Sequence, residues 1–271
     1  MSGIASPLRG ALRLITYLGW TFLCIPVQAI LLLLRSRLRS TFPMVYHRTC
    51  LKIVGIDVEF RGKRHRKHPV LFAVNHSSYL DITVLGALMP ISFVAKSEVA
   101  QWPLYGLLAK LQRTVFVDRQ VRNVVEQRAQ MAARLEQGDD LVLFPEGTSS
   151  DGNRVLPFKS ALLSTAEIEI NGRPVKVQPI SIAYTHLDGI PLGRHFRPFY
   201  TWFGDMDMAS HIWQMMALGK LRVVVEFHPP MTVAEAGTRK VLAQRCWALV
   251  AGGVASAIAG RPQQRIIETA A

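Results

Sequence analysis

Residues Pro69 to Leu88 read PVLFAVNHSSYLDITVLGAL, and this stretch decides the fold. Val70 to Val74 is a short continuous apolar run, the pattern of a strand buried on both faces. Asn75 to Ser77 break it with polar side chains, and apolar spacing then resumes, so the stretch predicts a helix over Ser78 to Leu88. A strand that passes through a tight polar turn into a helix is the building unit of an α/β protein.

Toward the C-terminus the alternation repeats. Ile91 to Ala95, Thr114 to Val117 and Leu141 to Phe144 read as strands, with helices at Leu104 to Leu111 and Val121 to Gln137. The second helix is amphipathic and stops at Gly138, a residue suited to a left-handed helix end. Ser160 to Glu167 reads as helical and Val175 to Ala183 as extended. Strands at Phe199 to Phe203 and Leu221 to Phe227, and helices at Met208 to Leu218 and Ala234 to Ala257, complete the expectation. No internal repeat or low-complexity linker divides this region.

Toward the N-terminus, Lys52 to Phe60 is an expected strand and Gly62 to His68 a turn. Leu14 to Leu34 holds 21 uncharged residues, enough for a helix across the hydrocarbon core. Arg9 and Arg13 precede it and Arg35, Arg37, Arg39 and Arg48 follow, a bias that puts the C-terminal flank in the cytoplasm. Pro26 leaves open a kink or a re-entrant helical pair instead of a single span. A cleaved signal peptide fits less well, because no small-residue cleavage site stands out after the stretch. Residues 1–48 are thus expected to be a membrane anchor with a basic juxtamembrane region, and residues 49–271 one α/β domain.

The 271 residues are 49% hydrophobic and 19% charged, which excludes a disordered chain. Net charge is +13, and +10 of it falls within residues 1–70, leaving +3 for the rest. Basicity concentrated beside an apolar segment fits an anionic membrane surface and argues against nucleic acid as a partner. Cys24, Cys50 and Cys246 show no CxxC spacing, which suits a reducing compartment or inert thiols and offers no zinc site.

Two local patterns carry chemistry. His76 stands where the strand from Pro69 meets the following helix, and Asp81 falls one turn in, close enough to accept an imidazole N–H. A carboxylate that fixes the tautomer and stabilises the imidazolium is the standard support of a general base. Phe144-Pro145-Glu146-Gly147-Thr148-Ser149 follows another apolar strand; Gly147 permits close backbone approach, and Glu146 and Thr148 offer a carboxylate and a hydroxyl at the same sheet edge. Either pattern alone is commonplace. There is no GxSxG elbow, HExxH helix or GxxxxGK[ST] loop, and His186, His195, His211 and His228 are too scattered to assign a metal.

Together these patterns make the chain resemble the glycerolipid acyltransferase family, also called the lysophosphatidic acid acyltransferase family. Its NHxxxxD signature is matched by Asn75, His76 and Asp81, and its arginine signature by Phe116-Val117-Asp118-Arg119. The FPEG signature is matched by Phe144 to Gly147, and the final proline-centred strand signature by Val177-Gln178-Pro179-Ile180. The resemblance implies a single acyltransferase domain with a central mixed β-sheet flanked by helices, and no cofactor. It implies His76 as general base oriented by Asp81, direct attack of an acceptor hydroxyl on a thioester, and help for the oxyanion from backbone near His76 or from waters. Asn75, Arg119, Glu146, Gly147 and Thr148 would bind substrate, with Lys159 a candidate for a phosphate contact. Acyl carrier protein or acyl-CoA would be the donor, a lysolipid in the bilayer the acceptor, and the bacterial inner membrane, cytoplasmic face, the location.

One departure bears on the acceptor. Phosphate-acceptor members usually carry arginine directly after EGT, where a guanidinium grips phosphate by two bonds; here that residue is Ser149. The run from Thr148 to Lys159 looks like the bacterial branch that acylates lyso-ornithine lipid, with Asp151 placed to meet the ornithine ammonium, although Arg154 offers a route back to phosphate. The alternatives are phosphatidic acid synthesis from 1-acyl-sn-glycerol-3-phosphate and a catalytically silent lipid-binding protein.

Overall fold

The computed structural model describes residues 5–67, 69–118 and 124–261. Helix α1 spans Pro7–Leu33, with the Ser6 hydroxyl accepting from the Arg9 N–H at its start, and it continues past Pro26. A 3-10 turn at Arg37–Ser40 leads into α2, Phe42–Val54, which ends at Gly55. The expected strand from Lys52 therefore begins later, as β1 at Ile56–Gly62. Pro43, His47, Cys50, Leu51 and Val54 are buried at three-to-four-residue spacing, which makes this segment one face of a helix. That helix runs unbroken through residue 48.

Strand β2 (Val70–Val74), α3 (Leu80–Leu88), β3 (Ser92–Lys96), α4 (Tyr105–Leu111), β4 (Val115–Val117), α5 (Val124–Glu136) and β5 (Leu141–Leu143) follow. After a kinked 3-10 segment at Ser160–Glu167 come a small hairpin of β6 (Glu169–Ile170) and β7 (Arg173–Pro174), then β8 (Lys176–Leu187) and β9 (Ile190–Pro191). The chain closes with α6 (Met208–Ala217), β10 (Leu221–Phe227), α7 (Val233–Ala236) and α8 (Arg239–Ile258).

Two expectations need correction. Phe199 to Phe203 is not a strand: a 3-10 turn covers Arg197–Phe199, and the Trp202 N–H donates to the Ser77 carbonyl at 2.8 Å instead of to a neighbouring strand. The terminal helix is broken at Gly237, where φ is +95°, because a Thr232–Glu235 capping box starts α7 and the Thr238 side chain starts α8 afresh.

The main sheet runs β1-β10-β8-β2-β5-β3-β4, with β9 paired to β8. The five strands from β8 to β4 are parallel, while β10 is antiparallel to β8 and parallel to β1, so the sheet is mixed. Alternate residues feed two cores: Val70, Phe72 and Val74 pack with α2, α3 and α6 on one face, and Leu71 and Ala73 with α5 and α8 on the other. Burying Phe72 alone stabilises the fold by about 2 kcal/mol.

This topology places the site. From β2 the chain crosses over β5 to reach β3, whereas from β5 it travels the other way, to β8 beyond β2. The loops leaving β2 and β5 diverge, opening a crevice between two neighbouring strand ends, the position where open α/β sheets bind ligands. The loops at Asn75 to Tyr79 and Phe144 to Ser149 occupy it.

Helix α1 rests on the domain at both ends. At Gly10 a Cβ would sit 3.2 Å from the Ala217 Cβ, and Arg9 and Arg13 donate to the carbonyls of Ala217 (2.8 Å) and Leu218 (2.7 Å). Near its other end, the Gln28 amide donates to the Leu111 and Arg39 carbonyls, both at 2.9 Å. The opposite side exposes Leu8, Leu12, Ile15, Phe22, Leu23, Ile30 and Leu33. Both α1 and α8 are long and apolar enough to cross a membrane, yet α8 turns Leu242, Cys246, Val250 and Val254 into the core.

Candidate active site

Asn75 continues β2 with its side chain. Its amide donates to the Ile182 carbonyl at 2.9 Å and accepts from the Ile182 N–H at 2.8 Å, a substitute rung that locks the β2 loop to β8. Buried in this role, Asn75, expected to bind substrate, is not among the residues that line the cavity described below.

The loop then presents His76. Its Nδ1 lies 2.9 Å from Asp81 Oδ2, and its ring stacks on Phe144 with centroids 4.2 Å apart. Asp81 is fully buried and also accepts from the N–H groups of Ser77 (2.8 Å) and Ser78 (3.0 Å) and from the Tyr184 hydroxyl (2.5 Å). Four donors satisfy its oxygens without solvent. Tyr184, 103 residues away, escaped the sequence reading; its buried place in β8, five residues after the proline of the strand signature, is the only signal, and a weak one.

The second loop braces the first. Glu146 is buried at 1% exposure, and its carboxylate accepts from the His76 N–H and the Leu156 N–H, each at 2.7 Å. Burial pushes Glu146 up to about 7, against the pull of those two donors. Glu146, expected to bind substrate, thus clamps the histidine loop and does not line the cavity. The Ser150 N–H adds a bond to the His76 carbonyl at 2.9 Å. Gly147, at φ +71°, makes the turn, with Lys159 Nζ so near that a Cβ would stand 3.0 Å from it.

With the His76 N–H given to Glu146 and those of Ser77 and Ser78 to Asp81, these amides hold the dyad; they are not left for an oxyanion. His76 Nε2, by contrast, has no protein partner among the described residues. It opens on a cavity of about 1020 Å³ that Gly147, Thr148, Ser149 and Lys159 also line. The apolar walls come from α1 (Tyr17, Cys24), α2, α3, α4 and α6, ample for a long aliphatic chain.

Two expected substrate residues lie elsewhere. Asp151 accepts from the Asn153 N–H and amide, both at 3.0 Å, in a closed local turn, and burial is outweighed there by Asn153 and nearby Arg154 and Arg194, so its carboxyl is held below the usual range. Arg154 has an exposed side chain, and neither residue lines the cavity. Arg119 lies outside the described residues.

The comparisons agree with this geometry. The family model described as Acyltransferase matches residues 55–183. A lyso-ornithine lipid O-acyltransferase of Brucella abortus is 42% identical over 241 residues, 88% of this chain and 90% of that protein. One of the same description from Rhizobium meliloti is 41% identical over 74% of this chain and 70% of its own. A 1-acyl-sn-glycerol-3-phosphate acyltransferase of Neisseria gonorrhoeae is 34% identical, with 70% of each chain covered. The crystal structure of the 1-acyl-sn-glycerophosphate acyltransferase PlsC of Thermotoga maritima shares the fold, with a TM-score of 0.65 over 92% of this chain and 97% of that one, at 19% identity. A His–Asp dyad with a buried carboxylate at the switch point of a mixed sheet, and identity over most of the chain to enzymes of one kind, lead to one conclusion: this chain belongs to the acyltransferase family and is an enzyme that transfers acyl groups.

Proposed function

We propose that the protein moves a fatty acyl group from acyl carrier protein or coenzyme A to the free hydroxyl of lyso-ornithine lipid. The observation that carries the reading is His76, oriented by a saturated Asp81 and opening on an apolar cavity with its second nitrogen. His76 takes the proton as the acceptor oxygen attacks the thioester carbonyl; the C–S bond then breaks, and the thiolate leaves and regains a proton. No acyl-enzyme is needed. Thr148 and Lys159, which line the cavity with His76, are donors available to the developing oxyanion and the headgroup.

Ser149 supports the choice of acceptor, since a neutral hydroxyl stands where a phosphate-gripping arginine is expected. Lys159 favours the second reading, 1-acyl-sn-glycerol-3-phosphate as acceptor, because its ammonium sits over Gly147 at the cavity wall. Residues 7–33 serve as anchor: with both ends on the domain and an apolar outer face, α1 lies in one leaflet along the cytoplasmic surface of the inner membrane. Anionic headgroups meet the basic residues between Arg35 and Lys67.

The test offers lyso-ornithine lipid and lysophosphatidic acid in parallel, with labelled acyl carrier protein, to membranes bearing the wild type or H76A. Product from lyso-ornithine lipid that falls at least about a hundredfold in H76A is expected. Product chiefly from lysophosphatidic acid would move the assignment to the second reading, and undiminished product in H76A would remove the histidine from the mechanism.

A further inference from the structure

We propose that the cavity carries an ammonium-recognising wall, made by Trp102 and Trp202 with the carboxylates of Glu98 and Asp205, which selects an acceptor by its basic amino-acid headgroup. The inference rests on the lyso-ornithine lipid reading above and names residues that would enforce it.

All four side chains line the cavity onto which His76 opens. Trp202 is tied to the histidine loop by its N–H bond to the Ser77 carbonyl, one residue from His76, and its indole N–H donates to the Met206 carbonyl at 2.8 Å, which fixes the ring. Trp102 meets Trp202 edge-to-face at 5.9 Å, and Tyr79 lies 6.4 Å from Trp202, so the aromatic surface is continuous. Ring faces of this kind attract an alkylammonium.

The two carboxylates stand on the same cavity lining, available to a cation. Asp205 makes no hydrogen bond or ion pair among the described residues, and Glu98 is met only by the Ser97 hydroxyl, at 3.3 Å. Each stands three or four positions from a tryptophan of the wall. Lys159 supplies the opposite sign beside Ser149, and Lys96 and Arg128 also line the cavity. A zwitterion with one ammonium and one carboxylate, the charge pattern of an ornithine whose α-amine is acylated, finds both partners here. A phosphate monoester would bring two negative charges toward Glu98 and Asp205 and find no guanidinium at position 149. Asp151, the acidic residue the sequence suggests for this task, is occupied by Asn153 outside the cavity.

The experiment compares lyso-ornithine lipid with the same lipid N-acetylated on its side-chain amine, using membranes that bear the full chain as wild type, the double variant E98Q/D205N, or W102L. The wild type is expected to prefer the charged acceptor in kcat/KM by roughly tenfold, and the double variant to bring that ratio close to one through a higher KM for the charged acceptor. W102L, an exposed replacement that leaves both carboxylates, is expected to lower the ratio about threefold. Equal use of both acceptors by the wild type, or an unchanged ratio in the double variant, overturns the ammonium wall while the acceptor assignment stands. A wild type that acylates lysophosphatidic acid and neither ornithine lipid overturns the acceptor assignment and the wall together.

Discussion

Asp81 shows how a single side chain is committed in advance. Four donors converge on it, and one of them, Tyr184, reaches across from β8. Replacing Tyr184 by Phe removes one donor and leaves the volume, so the imidazole should lose orientation without loss of acceptor binding. We expect kcat to fall about tenfold with KM unchanged, read by steady-state acyl transfer; a change confined to KM would refute the positioning role. Glu146 makes a pH prediction. Its carboxyl is raised from near 4.5 to about 7 in the fold, so the native state binds the extra proton, and stability from this group is present at low pH and lost as pH rises through that window. The stability of the wild type relative to E146Q, measured by thermal unfolding in detergent, should fall by about 1–3 kcal/mol from pH 5 to pH 8. Sequence placed the dyad and both loops correctly in one crevice, because each sits at the end of an unmistakable apolar strand. The backbone bonds of Asn75 to Ile182 and of Glu146 to His76 and Leu156 were not legible, because a polar residue beside a base looks the same whether it faces the ligand or the backbone behind the base.

At the scale of elements, α1 is held by hydrogen bonds that a count of flanking charges conceals. Arg9 and Arg13 read as topology markers in the sequence, yet in the fold they close the C-terminal end of α6 by donating to Ala217, Met216 and Leu218. Arg13→Ala should therefore destabilise the protein by about 1–2 kcal/mol, a fall of roughly 2–6 °C in Tm, with Lys at this position recovering part of the loss. An unchanged Tm would show that α1 stays docked without these bonds. The helix α2 was hidden by Arg48 and Lys52, exposed residues whose charge breaks up the apolar run, so the buried face is plain only once its three-to-four-residue rhythm is seen. The expected strand at Phe199 to Phe203 was an aromatic run of the right composition; its backbone serves the histidine loop instead, a partnership no local pattern announces.

For the whole molecule, the mixed sheet and its switch point follow from the order of short strands and helices, which the sequence shows clearly, whereas the attitude of α1 depends on contacts between residues some 200 positions apart. A span would put its ends on opposite sides of the bilayer; a helix lying along the domain keeps them together. Cysteines introduced at Ser6 and Ser36, which flank α1, should both react with an impermeant maleimide in inside-out vesicles and both be shielded in right-side-out ones. Opposite accessibility would establish a span. The presence of Tyr17 and Cys24 in the cavity wall has a practical reach. A version trimmed of α1 to gain solubility loses one side of the cavity onto which His76 opens, so it is a different vessel, not a cleaner one.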